Sequence, residues 1–413
     1  MSDRPILQGC ACCGMNRRQF LAAGCAACAG AAGAMTLSRP AFAQAGAKPR
    51  IKVVFSLHEE VQARPDWPNI GFDFKPVMER INAALAQGCP EYEFSSAMAT
   101  GEDQAKGILH DAKKEKIDGY IVYQLNCWNR VVQTIAESKK PVLYADFQFG
   151  GSGGFLVYSA GFLRAGTPNL GFVASSKIED LIAAAKCFGQ VKDANEFAAV
   201  VAKTRLAATA APSDMACTPD PVKIMDIGDW QKKMKESKLL AVLDQNAKNA
   251  DPIFGMAVEY IPFAELNDAW AKADKDESRA VADMWEKKAV KIEGVSREVL
   301  ETSAAMYLAE KAVMKNHNAL GITINCLGGF YEGHIHAYPC LGFHQLCNEG
   351  FDGGCECDVR SAASMAAFGM LTNGRPGYIS DPVMDTAKRQ IIYAHCVAGN
   401  KVFGPEGAEN PFE

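Results

Sequence analysis

From residue 51 onward, short apolar runs alternate with amphipathic stretches: "IKVVFS", "PVMERINAALAQG", "QAKGILHDAKKEK", "IDGYIVYQ", "NRVVQTIAESKK", "PVLYADF". This order is what parallel strands joined by helical crossovers require, since a parallel pair needs a connection of about a dozen residues or more. The expected fold is α/β, with two Rossmann-like parallel-sheet domains. The strands end in polar loops, "QLNCWNR" and "QFGGSGGF", and open α/β sheets bind ligands at such carboxyl ends. The glycines 150, 151, 153 and 154 lack the G-x-G-x-x-G order after a first strand, so they do not imply a dinucleotide and read as a flexible site loop or a surface turn. "RLAATAAPSDMACTPDP" then breaks the period. A second series follows it: "KLLAVLD", "GMAVEYIP", the long helix "SREVLETSAAMYLAEKAVMKNH", "ALGITINC", "MAAFGMLTNG", "PGYISD" and "RQIIYAHC". The expected division is an N-terminal domain over 50–172, a second domain over 173–400 that carries the site, and a tail over 401–413.

The first 43 residues follow another logic. Arg17 and Arg18 precede Phe20 and Leu21, then an Ala/Gly-rich region, then the small-x-small site Ala41-Phe42-Ala43. The segment resembles a twin-arginine export signal, which implies the translocon as a partner and a periplasmic location. Cys25 in "AAGC" offers a weaker lipidation variant. Glycines 24, 30 and 33 make a buried helix a poor alternative. Five of the fifteen cysteines fall in this leader, and folding before export in a reducing compartment removes the need for a disulfide framework. With 413 residues, 48% hydrophobic content and a net charge of −5, the rest is a globular chain with no attraction for phosphate backbones. Nucleic acid is excluded as a partner.

Chemistry concentrates near the end. Four of the seven histidines (334, 336, 344, 395) follow position 330, beside Glu332, Glu349, Glu356, Asp358 and Asp381. Glu356 stands where "CECD" starts a helix, Asp381 just beyond the expected strand "GYIS", and His395 at the end of "IIYAH". Strand and helix ends of this kind converge on one crevice. Two hard oxygen donors with one imidazole suit Mn²⁺ or Mg²⁺ better than Zn²⁺.

The segment "CECDVRSAASMAAFGMLTNGRPGYISDPVMDTAKRQIIYAHC" resembles the metal-site region of the L-fucose/L-arabinose isomerase family. "NCW" at 126–128 is similar to that family's first-domain Cys-Trp loop and "GITINC" to the strand before its site; the likeness runs from about 50 to 400 and is strongest over 340–396. The resemblance implies a divalent metal, Mn²⁺ first, on Glu356, Asp381 and His395, and a sugar as the small-molecule ligand in a homo-oligomer. Metal chelation of adjacent sugar oxygens and proton shuttling through a cis-enediol would follow, with Glu356 and Asp381 as catalytic carboxylates and Asp358 orienting the first. Cys127 and Trp128 would face the sugar. Relatives carry a further β-rich domain that supplies another metal histidine, a place that His334, His336 or a neighbouring subunit would take here.

Other readings compete. An exported carbohydrate-binding protein with this fold and no turnover is one; a Cys/His metal-binding or redox protein built on cysteines 347, 355 and 357 is another. Glu356 and Asp358 could be helix N-terminal charges, His395 a core histidine, and Trp128 plain packing. Glu332, His334 and His336 alternate as on one face of a strand, which a cupin-like site would also show.

Overall fold

The computed structural model describes residues 48–63, 67–212, 220–244, 251–395 and 397–413. Its first unit is a five-stranded parallel sheet of β1 (Arg50–Ser56), β2 (Glu93–Ala99), β3 (Gly119–Gln124), β4 (Val142–Asp146) and β5 (Leu170–Val173), in the order β2-β1-β3-β4-β5. β3 and β4 are buried throughout, as their unbroken apolar sequences require of strands covered on both faces. One face packs on α1 (Lys75–Gly88), whose Val77, Ile81 and Leu85 recur at helical spacing. The other packs on α2 (Glu102–Glu115), α3 (Val131–Ala136) and α4 (Ser152–Ala165). Beyond residue 172 the same core takes in Leu181 and Ala184 of α5 (Ile178–Ala185) and Val201 of α6 (Phe197–Ala208).

The second unit opens with α7 (Ile227–Glu236) and holds four parallel strands, β6 (Lys238–Val242), β7 (Ala257–Ile261), β8 (Gly321–Ile324) and β9 (Asp352–Gly354), ordered β7-β6-β8-β9. Its helices are α8 (Phe263–Ala271), α9 (Lys275–Lys288), α10 (Arg297–Asn316), α11 (Cys326–Tyr331), α12 (Cys340–Asn348) and α13 (Val359–Leu371). The Ser296 side chain caps α10 by accepting from Val299 N–H. Two Rossmann-like α/β units are therefore present. Among the described residues no helix is long and apolar enough to cross a membrane.

The last strands depart from expectation. "GYIS" forms no strand; β10 (Asp381–Asp385) begins where it ends and pairs antiparallel with β11 (Gln390–Ala394) as a separate hairpin. Only residues 386–389 join the two, far too short for a parallel crossover. The hairpin tip lies on the first unit. There Gln148 Nε2 donates to Met384 O (2.9 Å), Ser176 N–H to Asp385 Oδ1 (3.0 Å) and Thr386 N–H to Ala174 O (3.0 Å). After the hairpin the chain returns: Val397 is buried in the second core, and Val290 N–H donates to Phe412 O (2.9 Å).

Candidate metal centre

Glu356 follows β9 at the carboxyl edge of the second sheet, in a turn where it and Cys357 both adopt left-handed backbone (φ +63° and +52°). Cys357 N–H donates to Ile324 O (3.0 Å), and Thr323 Oγ1 donates to Cys355 O (3.2 Å), so the end of β8 holds this turn. Left-handed residues other than glycine are costly and gather at functional sites. Asp381 and His395 arrive from the two open ends of the hairpin. Register sets Asp381 opposite Ala394, and His395 Nε2 lies 3.5 Å from Asp381 Oδ2.

Ligand atoms of Glu356, Asp381 and His395 all lie within 4.8 Å of one another. Bonds of about 2.1 Å allow donors to stand up to about 4.2 Å apart across one ion, so closure on a metal needs movements below an ångström. The imidazole is largely sheltered, and its buried Nδ1 has no hydrogen-bond partner among the described residues. Both carboxylates face solvent, which leaves room for ligand oxygens on the same ion. The donor set fits a hard or borderline divalent cation. The convergence foreseen from a helical crossover is real in outcome and different in cause: a hairpin brings Asp381 to His395, and the end of a parallel strand brings Glu356.

The other expected residues have other surroundings. Asp358 caps α13, with Oδ1 accepting from Ser361 N–H (3.1 Å) and Oδ2 from Ser361 Oγ (2.5 Å); the helix-cap reading describes it, and it leaves Glu356 alone as the segment's metal donor. The segment with Glu332, His334 and His336 is a turn, not a strand, because Gly333 at φ +74° bends it. His334 stacks on Phe263 (5.5 Å) and meets Glu332 (3.0 Å), while His336 lies against Trp270 (5.8 Å). Neither histidine belongs to the donor group. His344 is structural: its Nδ1 meets Ala398 O (2.7 Å), its Nε2 meets Asn348 (3.0 Å), and burial lowers its pKa. Burial pushes the thiol of Cys347 up to about 12 and that of Cys357 up to about 11, the wrong direction for thiolate ligation.

Cys127 and Trp128 stand on the loop after β3 and are not among the donors. Trp128 is exposed, at φ +64°, edge-on to Tyr158 (6.1 Å). The glycine segment is a turn at Gly150 and Gly151 that runs into α4, which includes Gly153 and Gly154. A Cβ on Gly151 would sit 2.1 Å from Gln124 O, and Gly154 N–H donates to Cys127 Sγ (3.2 Å), so glycines let the start of α4 press against the β3 loop. Among the described residues, sequence reasoning passed over four buried acids, Asp146, Glu310, Asp352 and Asp385. In sequence each looks like an ordinary strand-end or helix-surface carboxylate.

No family model and no curated protein matches the chain. Similar solved structures include a regulatory protein of the LacI family from Chloroflexus aggregans, at 11% identity over 67% of this chain and 76% of that one, with a TM-score of 0.19. A 5-methylthioribose transporter solute-binding protein from Thermotoga lettingae matches at 12% identity over 83% and 85%, with a TM-score of 0.20. The sugar-binding protein of a sugar ABC transporter from Bacillus halodurans matches at 11% over 83% and 97%, also with a TM-score of 0.20. Likeness at this level carries no argument about what the chain binds. No family model and no curated protein supports the isomerase resemblance, and the similar solved structures are named as regulators and binding proteins rather than sugar isomerases, so the resemblance is withdrawn. Isomerase activity and manganese as its particular metal go with it; the leader residues Arg17, Arg18 and 41–43, on which the twin-arginine reading rests, lie outside the described residues.

Proposed function

We propose that this chain binds a small carbohydrate through a divalent metal held by Glu356, Asp381 and His395. The observation that carries the reading is the clustering of these three donors within 4.8 Å at the carboxyl edge of the second sheet, where α/β folds place ligands. A bound divalent ion would supply a point of chelation for two adjacent sugar hydroxyls. Glu356 and Asp381 bring the negative charge that holds the ion, and their exposure keeps its outer side open to ligand oxygens. His395 adds a neutral donor from a sheltered position. An exported location suits such a role, and no particular export route is part of the proposal. The redox or thiolate-metal reading is disfavoured by the burial of Cys347 and Cys357.

Titration calorimetry on protein stripped with a chelator tests the proposal, with Mg²⁺, Mn²⁺ and Zn²⁺ added in turn and D-glucose or D-ribose added afterwards. One metal per chain is expected, with affinity falling at least about tenfold in Glu356→Gln and in Asp381→Asn, and sugar heat at this site appearing only with metal present. Metal binding unchanged in both variants would overturn the site. Metal binding without any metal-dependent sugar heat would remove the carbohydrate.

A further inference from the structure

The first unit contains a cavity of about 590 Å³ at the carboxyl ends of β3, β4 and β5, lined by Arg80, Tyr123, Asp146, Gln148, Ser175 and Ser176 among others. That volume lies within the usual range of about 300–1,000 Å³ for small-molecule sites. Asp146 ends β4 and is only 6% exposed. Its Oδ2 accepts from Ser152 Oγ (2.8 Å), while its Oδ1 has no hydrogen-bond partner among the described residues. A carboxyl placed this way lacks one donor, and leaving a buried acceptor unmet costs about 1–3 kcal/mol.

We propose that this cavity is a second ligand site, separate from the metal centre, which takes a neutral polyol of monosaccharide size with one hydroxyl donating to Asp146. The neutral class follows from the lining. Arg80 and Lys177 face Glu179 and an Asp146 carboxyl that is only partly ionised near neutrality, so less than one unit of net charge is left to select an ion. Gln148, Ser175, Ser176 and Tyr123 offer uncharged hydrogen-bonding groups, and Phe147, Phe149 and Val173 give the apolar surface that sugar C–H faces rest on. Burial raises the Asp146 carboxyl to about 7, so near neutrality it serves as donor or acceptor and suits a hydroxyl, which is both. The site would receive its ligand by displacing local packing around the carboxyl, since the unpartnered oxygen itself is sealed from solvent.

The test uses the full chain kept metal-free with a chelator, so that it stands apart from the carbohydrate reading of the metal centre. Xylitol, D-glucose, D-gluconate and ethanolamine serve as probes in titration calorimetry. Xylitol or D-glucose should bind, the two charged probes more weakly, and binding should survive Glu356→Gln while falling at least tenfold in Asp146→Asn. Ala84→Trp, which fills the cavity from the side of α1 and leaves Asp146 intact, should abolish it and decides the matter if Asp146→Asn does not fold. Absence of binding by both neutral probes would overturn the proposal, as would binding lost in Glu356→Gln or binding indifferent to both cavity variants.

Discussion

At Glu356 the backbone and the side chain make opposite demands. A left-handed residue other than glycine costs about 1–2 kcal/mol, and here two stand in succession, at φ +63° and +52°. Glycine would remove that strain at a cost of about 0.5–1 kcal/mol of extra chain entropy in the unfolded state. The Glu356→Gly variant should therefore gain up to about 1 kcal/mol in urea unfolding while its metal affinity falls at least about tenfold. A gain in stability with loss of metal is the signature of a residue kept for binding. Loss of both would show that the glutamate side chain holds its own turn.

Among the elements, α10 and α12 meet around an acid that their sequences hide. Glu310 of α10 is fully buried, neither of its oxygens has a hydrogen-bond partner among the described residues, and burial raises its carboxyl well above the usual range. Gly342 makes the fit possible, since a Cβ there would stand 2.0 Å from Glu310 Oε2. With the folded pKa above the unfolded one, this group's contribution to stability is complete below the ordinary carboxylate range and is lost as pH rises through the folded value. Glu310→Met should raise the melting temperature at neutral pH and flatten its decline from acid toward alkaline pH; a melting profile that keeps its slope would assign the dependence to another acid such as Asp352. The helix itself was legible, from the Ser296 cap and its apolar period. The burial of Glu310 was not, because one acid in an amphipathic pattern reads as a solvated face and only the packing of α12 covers it. The metal donors were legible as a cluster of acids and histidine, yet "GYIS" misled: its aromatic and β-branched residues suit a strand, but Pro376 offers no N–H and Gly374 at φ +94° turns the chain just before it. His334 and His336 misled for a like reason, since alternation on paper is undone by the left-handed turn at Gly333.

Across the whole molecule, the proposed metal centre is shared between parts that fold around different sheets. Glu356 belongs to the second unit, whereas Asp381 and His395 sit at the open ends of a hairpin whose tip is fixed to the first by Asp385, Thr386 and Gln148. Five residues of strand span about 17 Å, so the hairpin is a strut from the first sheet's carboxyl edge to the proposed metal centre. An ion bound at one hundred times its dissociation constant adds about 2.7 kcal/mol to the state that binds it, and the strut should pass part of that to both units. Hydrogen exchange resolved by segment reads this directly, because buried strand amides report the opening of their own unit. With metal, exchange should slow at β3 of the first unit as well as at β8 of the second. In Asp385→Ala, which removes the acceptor of Ser176 N–H and touches none of the three donors, slowing should persist at β8 and largely vanish at β3, with metal affinity reduced several-fold because the hairpin ends are no longer held in place. Equal protection of β3 in the variant and the unaltered chain would mean that the two units communicate through their other contacts and that the hairpin only delivers Asp381 and His395.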